Sequence, residues 1–206
     1  MYTLDEFHSI LVTKISAGAL GHRVKDKSWT IFGVRACSIQ MKQGESLFIK
    51  TENTFNKYDD LLCILRGDEM KCFQGTVDPG RKYTDTPMNP KGCAHLLNGL
   101  HWFKKGLHKG FPAFNQAKPV QIWRDRNRNN ENDDGFEEEG FFGIDIHYGS
   151  GNRNKIEGWS AGCINTLGDR NSSAWRDFRN TLYDSAQPDY GGLYPLIVTN
   201  FPEDAE

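Results

Sequence analysis

The stretch Trp29-Thr30-Ile31-Phe32-Gly33-Val34-Arg35 reads as a β-strand, rich in β-branched and aromatic residues. Its surroundings repeat that texture. Ser46-Leu47-Phe48-Ile49-Lys50 is a second strand, with Gly44 marking a turn before it. Leu61 to Leu65 and Met70 to Gln74 are two more, around the turn Arg66-Gly67-Asp68. Val120-Gln121-Ile122-Trp123, the run Phe141 to His147, and Leu196-Ile197-Val198-Thr199 complete the expected set. The content of 21 glycines and 8 prolines favours turns and strands over a helical bundle. Two helices are expected. One spans about residues 3–17, opened by the capping-box spacing Thr3-x-x-Glu6, carrying Leu4, Phe7 and Leu11, and ended by Gly18 and Gly21. The other is capped by Ser172 or Ser173 and carries Trp175, Phe178 and Leu182 on one face. Residues 78–110 read as long loops with short strands, and residues 124–140 as a solvated loop. The expectation is a mostly β (α+β) fold: one domain over residues 1–206, a sandwich or barrel with a few peripheral helices.

The length of 206 residues fits one compact domain. Counting glycine but not tyrosine, about 44% of residues are apolar, close to the globular norm, which argues against disorder of the whole chain. The net charge of −2 argues against a protein built to grip nucleic acid. Apolar runs such as Leu61-Leu62-Cys63-Ile64-Leu65 fall far short of a membrane span. Met-Tyr-Thr-Leu-Asp-Glu lacks a basic segment followed by an apolar one, so no secretory signal is expected. The five cysteines, Cys37, Cys63, Cys72, Cys93 and Cys163, contain no CxxC pair. They read as neither a disulfide framework nor a zinc site, and neither a metal nor another cofactor is expected.

Chemistry concentrates between His147 and Asn165. In Gly143-Ile144-Asp145-Ile146-His147, alternation puts the two isoleucines on one face and Gly143, Asp145 and His147 on the other. A glycine-rich loop follows and ends in Trp159-Ser160-Ala161-Gly162-Cys163-Ile164-Asn165. Small residues before a cysteine allow a sharp turn and outward-pointing amides that a substrate carbonyl can approach. A thiolate is the competent nucleophile, and a nearby imidazole can generate it. His147 and Cys163 therefore form a candidate dyad. Each alone has a plainer explanation: a structural histidine at a strand end, and a small buried hydrophobe.

This segment resembles the L,D-transpeptidase catalytic domain (the YkuD-like family). The family signature is a histidine, a spacer, then Ser/Thr-His-Gly-Cys-hydrophobic-Asn/Arg. His147 is followed by a twelve-residue spacer and Ser160-Ala161-Gly162-Cys163-Ile164-Asn165. Ala161 stands where the family has a second histidine, which leaves His147 as the only local base. The chain is also similar to phage-type and secreted bacterial proteins ending in Trp-Ser-Ala-Gly-Cys. The resemblance implies a catalytic segment over about residues 141–166. It also implies a Cys163 thioester on peptidoglycan stem peptides, with His147 as base and the amides of Gly162 and Cys163 as oxyanion donors. Ser160 would hydrogen-bond within the turn or contact substrate. Trp159, Ala161, Asn165, His108 and Arg153 would lie at the substrate, with Asn165 pinning the loop. The partner would be peptidoglycan or muropeptides. The protein would act in the periplasm or at the cell wall, delivered by lysis or a specialised secretion route.

Two other readings stand beside this one: an inactive cell-wall-binding or structural module, and a cysteine peptidase acting on proteins. Weaker candidates remain. Asp125-x-Asn127-x-Asn129 with Glu131 and Asp133 resembles the start of a calcium loop. It has Asn130 in place of the glycine and Phe136 in place of the closing glutamate, so a plain solvated loop is favoured. His95 near Cys93 imitates a dyad. His108 and Lys109 form either a groove wall or a surface turn. Arg153 and Lys155 could meet a substrate carboxylate.

Overall fold

A computed structural model of the chain describes residues 1–133, 135–151 and 154–203. Eight strands close into a barrel. Their order is β1 (Thr30–Arg35), β13 (Tyr194–Asn200), β7 (Gly99–His108), β8 (Phe111–Gln116), β11 (Asp145–Tyr148), β12 (Ile164–Thr166), β5 (Glu69–Thr76) and β4 (Asp60–Arg66). The pairs β1/β13 and β11/β12 are parallel, and the other barrel pairs are antiparallel. A second sheet pairs β10 (Glu137–Gly140) with β9 (Val120–Asp125) and β9 with β6 (Cys93–Leu96). A hairpin joins β2 (Cys37–Lys42) to β3 (Glu45–Lys50). Its two turn residues, Gln43 and Gly44, both have positive φ, as a tight two-residue hairpin turn requires.

The barrel wall is apolar on both sides, because period-2 alternation sends neighbouring side chains to opposite faces. Ile31, Leu62, Ile64, Leu196 and Val198 join one core cluster. Phe32, Val34, Leu61, Cys63, Leu65 and Ile197 join the other. Burial on both faces explains why Leu61–Leu65 is continuously apolar. The first cluster is completed by helix α4 (Ser173–Tyr183), capped by Ser172, with Trp175, Phe178 and Leu182 buried. The second is covered by the N-terminal helical segment. That segment runs as α1 (Leu4–Ile10), a π-helical turn (Leu11–Ile15) and α2 (Ser16–Leu20), ending at Gly21. The Thr3–Glu6 capping box forms, and Phe7 and Leu11 are buried, whereas Leu4 is exposed. Gly18 lies inside α2 and does not end it.

Several expectations are corrected. Residues 78–110 contain the ten-residue strand β7 and the short helix α3 (Arg81–Asp85). The loop 124–140 includes β10. In the run Phe141 to His147, only Asp145 onward is strand; Gly143 turns with φ of 72°. Cys63 and Cys72 are not separate thiols. They face each other across β4 and β5 and form a disulfide. No helix among the described residues is long and apolar enough to cross a membrane.

Candidate functional site

Strands β11 and β12 lie side by side, and their register sets His147 opposite Asn165. His147 Nδ1 is 2.7 Å from the Tyr148 carbonyl oxygen. A carbonyl only accepts, so Nδ1 carries the proton and Nε2 keeps its lone pair. The Asn165 amide lies 3.2 Å from both ring nitrogens and donates to the Ile164 carbonyl at 3.0 Å. Asn165 is fully buried, so it steadies the imidazole from behind and does not reach a substrate.

Cys163 arrives from the loop before β12. Ser160, also fully buried, ties that turn: its hydroxyl donates to the Cys163 carbonyl at 2.6 Å and accepts the Gly162 N–H at 3.1 Å. Ser160 therefore acts within the turn. The Gly162 amide is already committed, which leaves the Cys163 amide of the expected oxyanion pair. Gly162 has φ of 126°, and a Cβ there would stand 2.8 Å from the Ala94 carbonyl oxygen, so the turn requires glycine. The Cys163 sulfur accepts the Asp145 N–H at 3.5 Å, and its own S–H faces the Gly143 carbonyl at 3.7 Å.

A second imidazole enters from β7, correcting the expectation that His147 is the only local base. His108 stacks on His147 with ring centroids 4.1 Å apart and planes within 12°. The hairpin turn Lys109–Gly110, with positive φ at both residues, brings it there. His108 Nδ1 lies 2.8 Å from Asp145 Oδ2, and Asn115 donates to Asp145 Oδ1 at 2.7 Å. Gly106 makes room for this: a Cβ there would overlap the Asn115 side-chain oxygen. One ligating atom each from His108, His147 and Cys163 lies within 4.8 Å of the others. Two imidazoles and a thiolate suit a zinc-class cation. The parallel stacking puts the ring lone pairs in separate planes, so a shared ion would require both rings to tilt.

The three side chains line a cavity of about 510 Å³, whose rim carries the exposed apolar side chains of Met88, Phe141 and Trp159. Ala161 and Lys109 also line it. Arg153 lies outside the described residues. His95 stacks on Trp123 at 3.9 Å and faces Asp78, away from any dyad role with Cys93. In the Asp125 loop, both carboxylate oxygens of Asp125 accept backbone N–H groups, from Asn129 and Asn130. Asp133 accepts from the amides of Asn127 and Asn129. That loop closes on its own hydrogen bonds.

Burial raises the Cys163 thiol to about 11, against the opposing pull of the Asp145 N–H. Burial, with the charges of His108 and Lys109, lowers His147 to about 4. The resting pair is a neutral thiol beside a neutral imidazole. Below its pKa a thiol gains about tenfold in thiolate per pH unit. Alkylation of Cys163 by iodoacetamide should therefore climb steadily from pH 7 to 10. A plateau below pH 8 would contradict the neutral pair. Burial also raises the Cys37 thiol, and the Cys93 thiol to about 12. Both are less exposed than Cys163, so peptide mapping should find Cys163 labelled first.

Compared with family models, with curated proteins and with solved structures, the chain matches none.

Proposed function

We propose that this protein is a cysteine acyltransferase or peptidase of the L,D-transpeptidase type, acting on peptidoglycan stem peptides. The observation that carries the reading is a cysteine at the wall of an open cavity, with an imidazole within 4.8 Å whose tautomer leaves the lone pair on Nε2. His147 Nε2 takes the thiol proton as sulfur attacks a peptide carbonyl carbon. The S–C bond forms, the C–N bond breaks, and the amine leaves with a proton. Water or an acceptor amine then attacks the thioester and restores the thiol. The Cys163 amide would steady the developing oxyanion; one such donor is worth about 3 kcal/mol. A loose dyad in the free protein suits this reading, because catalytic hydrogen bonds tighten when substrate binds. The Cys63–Cys72 disulfide supports work in an oxidising compartment, as expected outside the cytoplasm.

The test is incubation with purified muropeptides, followed by mass spectrometry. The proposal expects loss of a C-terminal D-amino acid, its exchange, or a cross-linked dimer. Retention on intact peptidoglycan without any new product would replace it with the binding-module reading. Cleavage of an unfolded protein, with muropeptides untouched, would replace it with the peptidase reading.

A further inference from the structure

Beyond the dyad, the site holds an ionisable group that the mechanism above does not use. We infer that His108, held by Asp145, is the general acid that protonates the departing amine, so that acid and base are two separate imidazoles. This rests on the Cys163 reading and adds a residue to it.

Accessibility carries the first part. His147 is 4% exposed, with little surface for a leaving group. The His108 side chain is 22% exposed and lines the same cavity. Of the two rings, His108 is the one that meets a departing amine.

Orientation carries the second. His108 Nδ1 donates to Asp145 Oδ2 at 2.8 Å, which fixes the ring and places a carboxylate beside any charge it holds. The other Asp145 oxygen is held by Asn115, and the Asp145 N–H is aimed at the sulfur. One residue thus braces the acid through its side chain and the nucleophile through its backbone.

Exclusion carries the third. Two positive imidazoliums stacked at 4.1 Å repel, so the pair favours one proton held by one ring. Burial and the nearby charges of His108 and Lys109 keep His147 neutral, while His108 faces the Asp145 carboxylate. The groups facing the pair are Asp145 from β11, Lys109 from the β7–β8 turn and Cys163 from the loop before β12.

The proton count closes. As the thiol proton moves to His147 and the S–C bond forms, the His108 proton goes to the amine nitrogen and the C–N bond breaks, so the stacked rings hold one extra proton between them throughout. In the second half, the attacking water or amine gives a proton to neutral His108. As that proton arrives, the C–S bond breaks and the thiolate takes the proton held by His147, so one ring is charged at a time. Nothing is oxidised or reduced.

The experiment compares two acyl donors of the same stem peptide. One is the ordinary amide; the other is a thioester analogue, whose thiolate leaves without needing a proton. His108→Gln should lower kcat/KM on the amide by about 10²–10³-fold and on the thioester by only a few fold. Asp145→Asn should give the same split in weaker form, and it guards against misfolding of the first variant. His147→Ala should lose both substrates. Equal losses on amide and thioester in both variants, or no loss on the amide, would overturn the role of His108. A parent protein inactive on both donors would instead overturn the Cys163 reading, and this inference with it.

Discussion

Replacing Cys163 with alanine should lower kcat/KM on stem peptides by at least about 10⁴-fold while leaving the fold intact. Cys163 is the thiol beside His147; Cys93 also lines the cavity but is less exposed and, like Lys109, is not the group the mechanism acylates, so mainly water attack without a covalent intermediate would remain. The fold should survive because little depends on the sulfur. It accepts one long hydrogen bond from Asp145 and faces the Gly143 carbonyl. The turn is fastened instead by Ser160, through the Cys163 carbonyl and the Gly162 amide, and alanine keeps both. The melting temperature of the variant should stay within a few degrees of the parent. Retained turnover in Cys163→Ala would remove the basis of the mechanism.

The largest expected loss of stability is elsewhere. Phe178→Ala should cost about 3–5 kcal/mol, the usual range for emptying an aromatic site in a core. Phe178 is fully buried in α4. It meets Phe73 edge-on at 5.5 Å and Phe114 at 6.1 Å, and lies near-parallel to Trp175 at 5.9 Å. These partners come from β5, β8 and α4 itself, so the void would open where the helix packs onto the barrel. For a chain of this size the loss corresponds to a fall in melting temperature on the order of 10 °C. Leu107→Ala, at an exposed position, should shift stability by no more than about 0.5 kcal/mol. Similar melting curves for both variants would mean that α4 does not complete this core.

The elements that could be read from the chain are those whose local signal agrees with their burial. α4 shows its cap and its apolar face in sequence, β1, β4 and β13 show apolar runs, and β5 and β9 show shorter apolar stretches broken by Lys71 and Gln121. Strand β7 was hidden because Lys104, Lys105 and Gly106 interrupt its apolar residues. Its solvent-facing positions tolerate lysine, and Gly106 is needed for the approach of Asn115. Strand β10 was hidden by three consecutive glutamates, of which Glu138 is held by Lys91 and Arg124. The Cys63–Cys72 pair did leave a signal. Both residues lie equally far from the Gly67–Asp68 turn, so antiparallel pairing must set them opposite each other.

At the site, sequence spacing reached His147 and Cys163 but not the arrangement around them. The meeting of His108 with Asp145 depends on β8 lying between β7 and β11, a consequence of barrel order that no local pattern encodes. The commitment of the Gly162 amide to Ser160 is likewise a matter of turn geometry. What could be read was the pair of groups whose chemistry requires rare residue types. What could not was the set of polar contacts that tertiary packing delivers.

The central claim is that Cys163 carries the acyl group. Its most direct test is to quench the protein with acid during turnover of a stem peptide, measure its intact mass, and map the modified peptide. The account predicts an adduct equal in mass to the acyl portion of the donor, located on Cys163 and released by hydroxylamine. An adduct on another residue, or undiminished turnover after Cys163 has been alkylated, would contradict it.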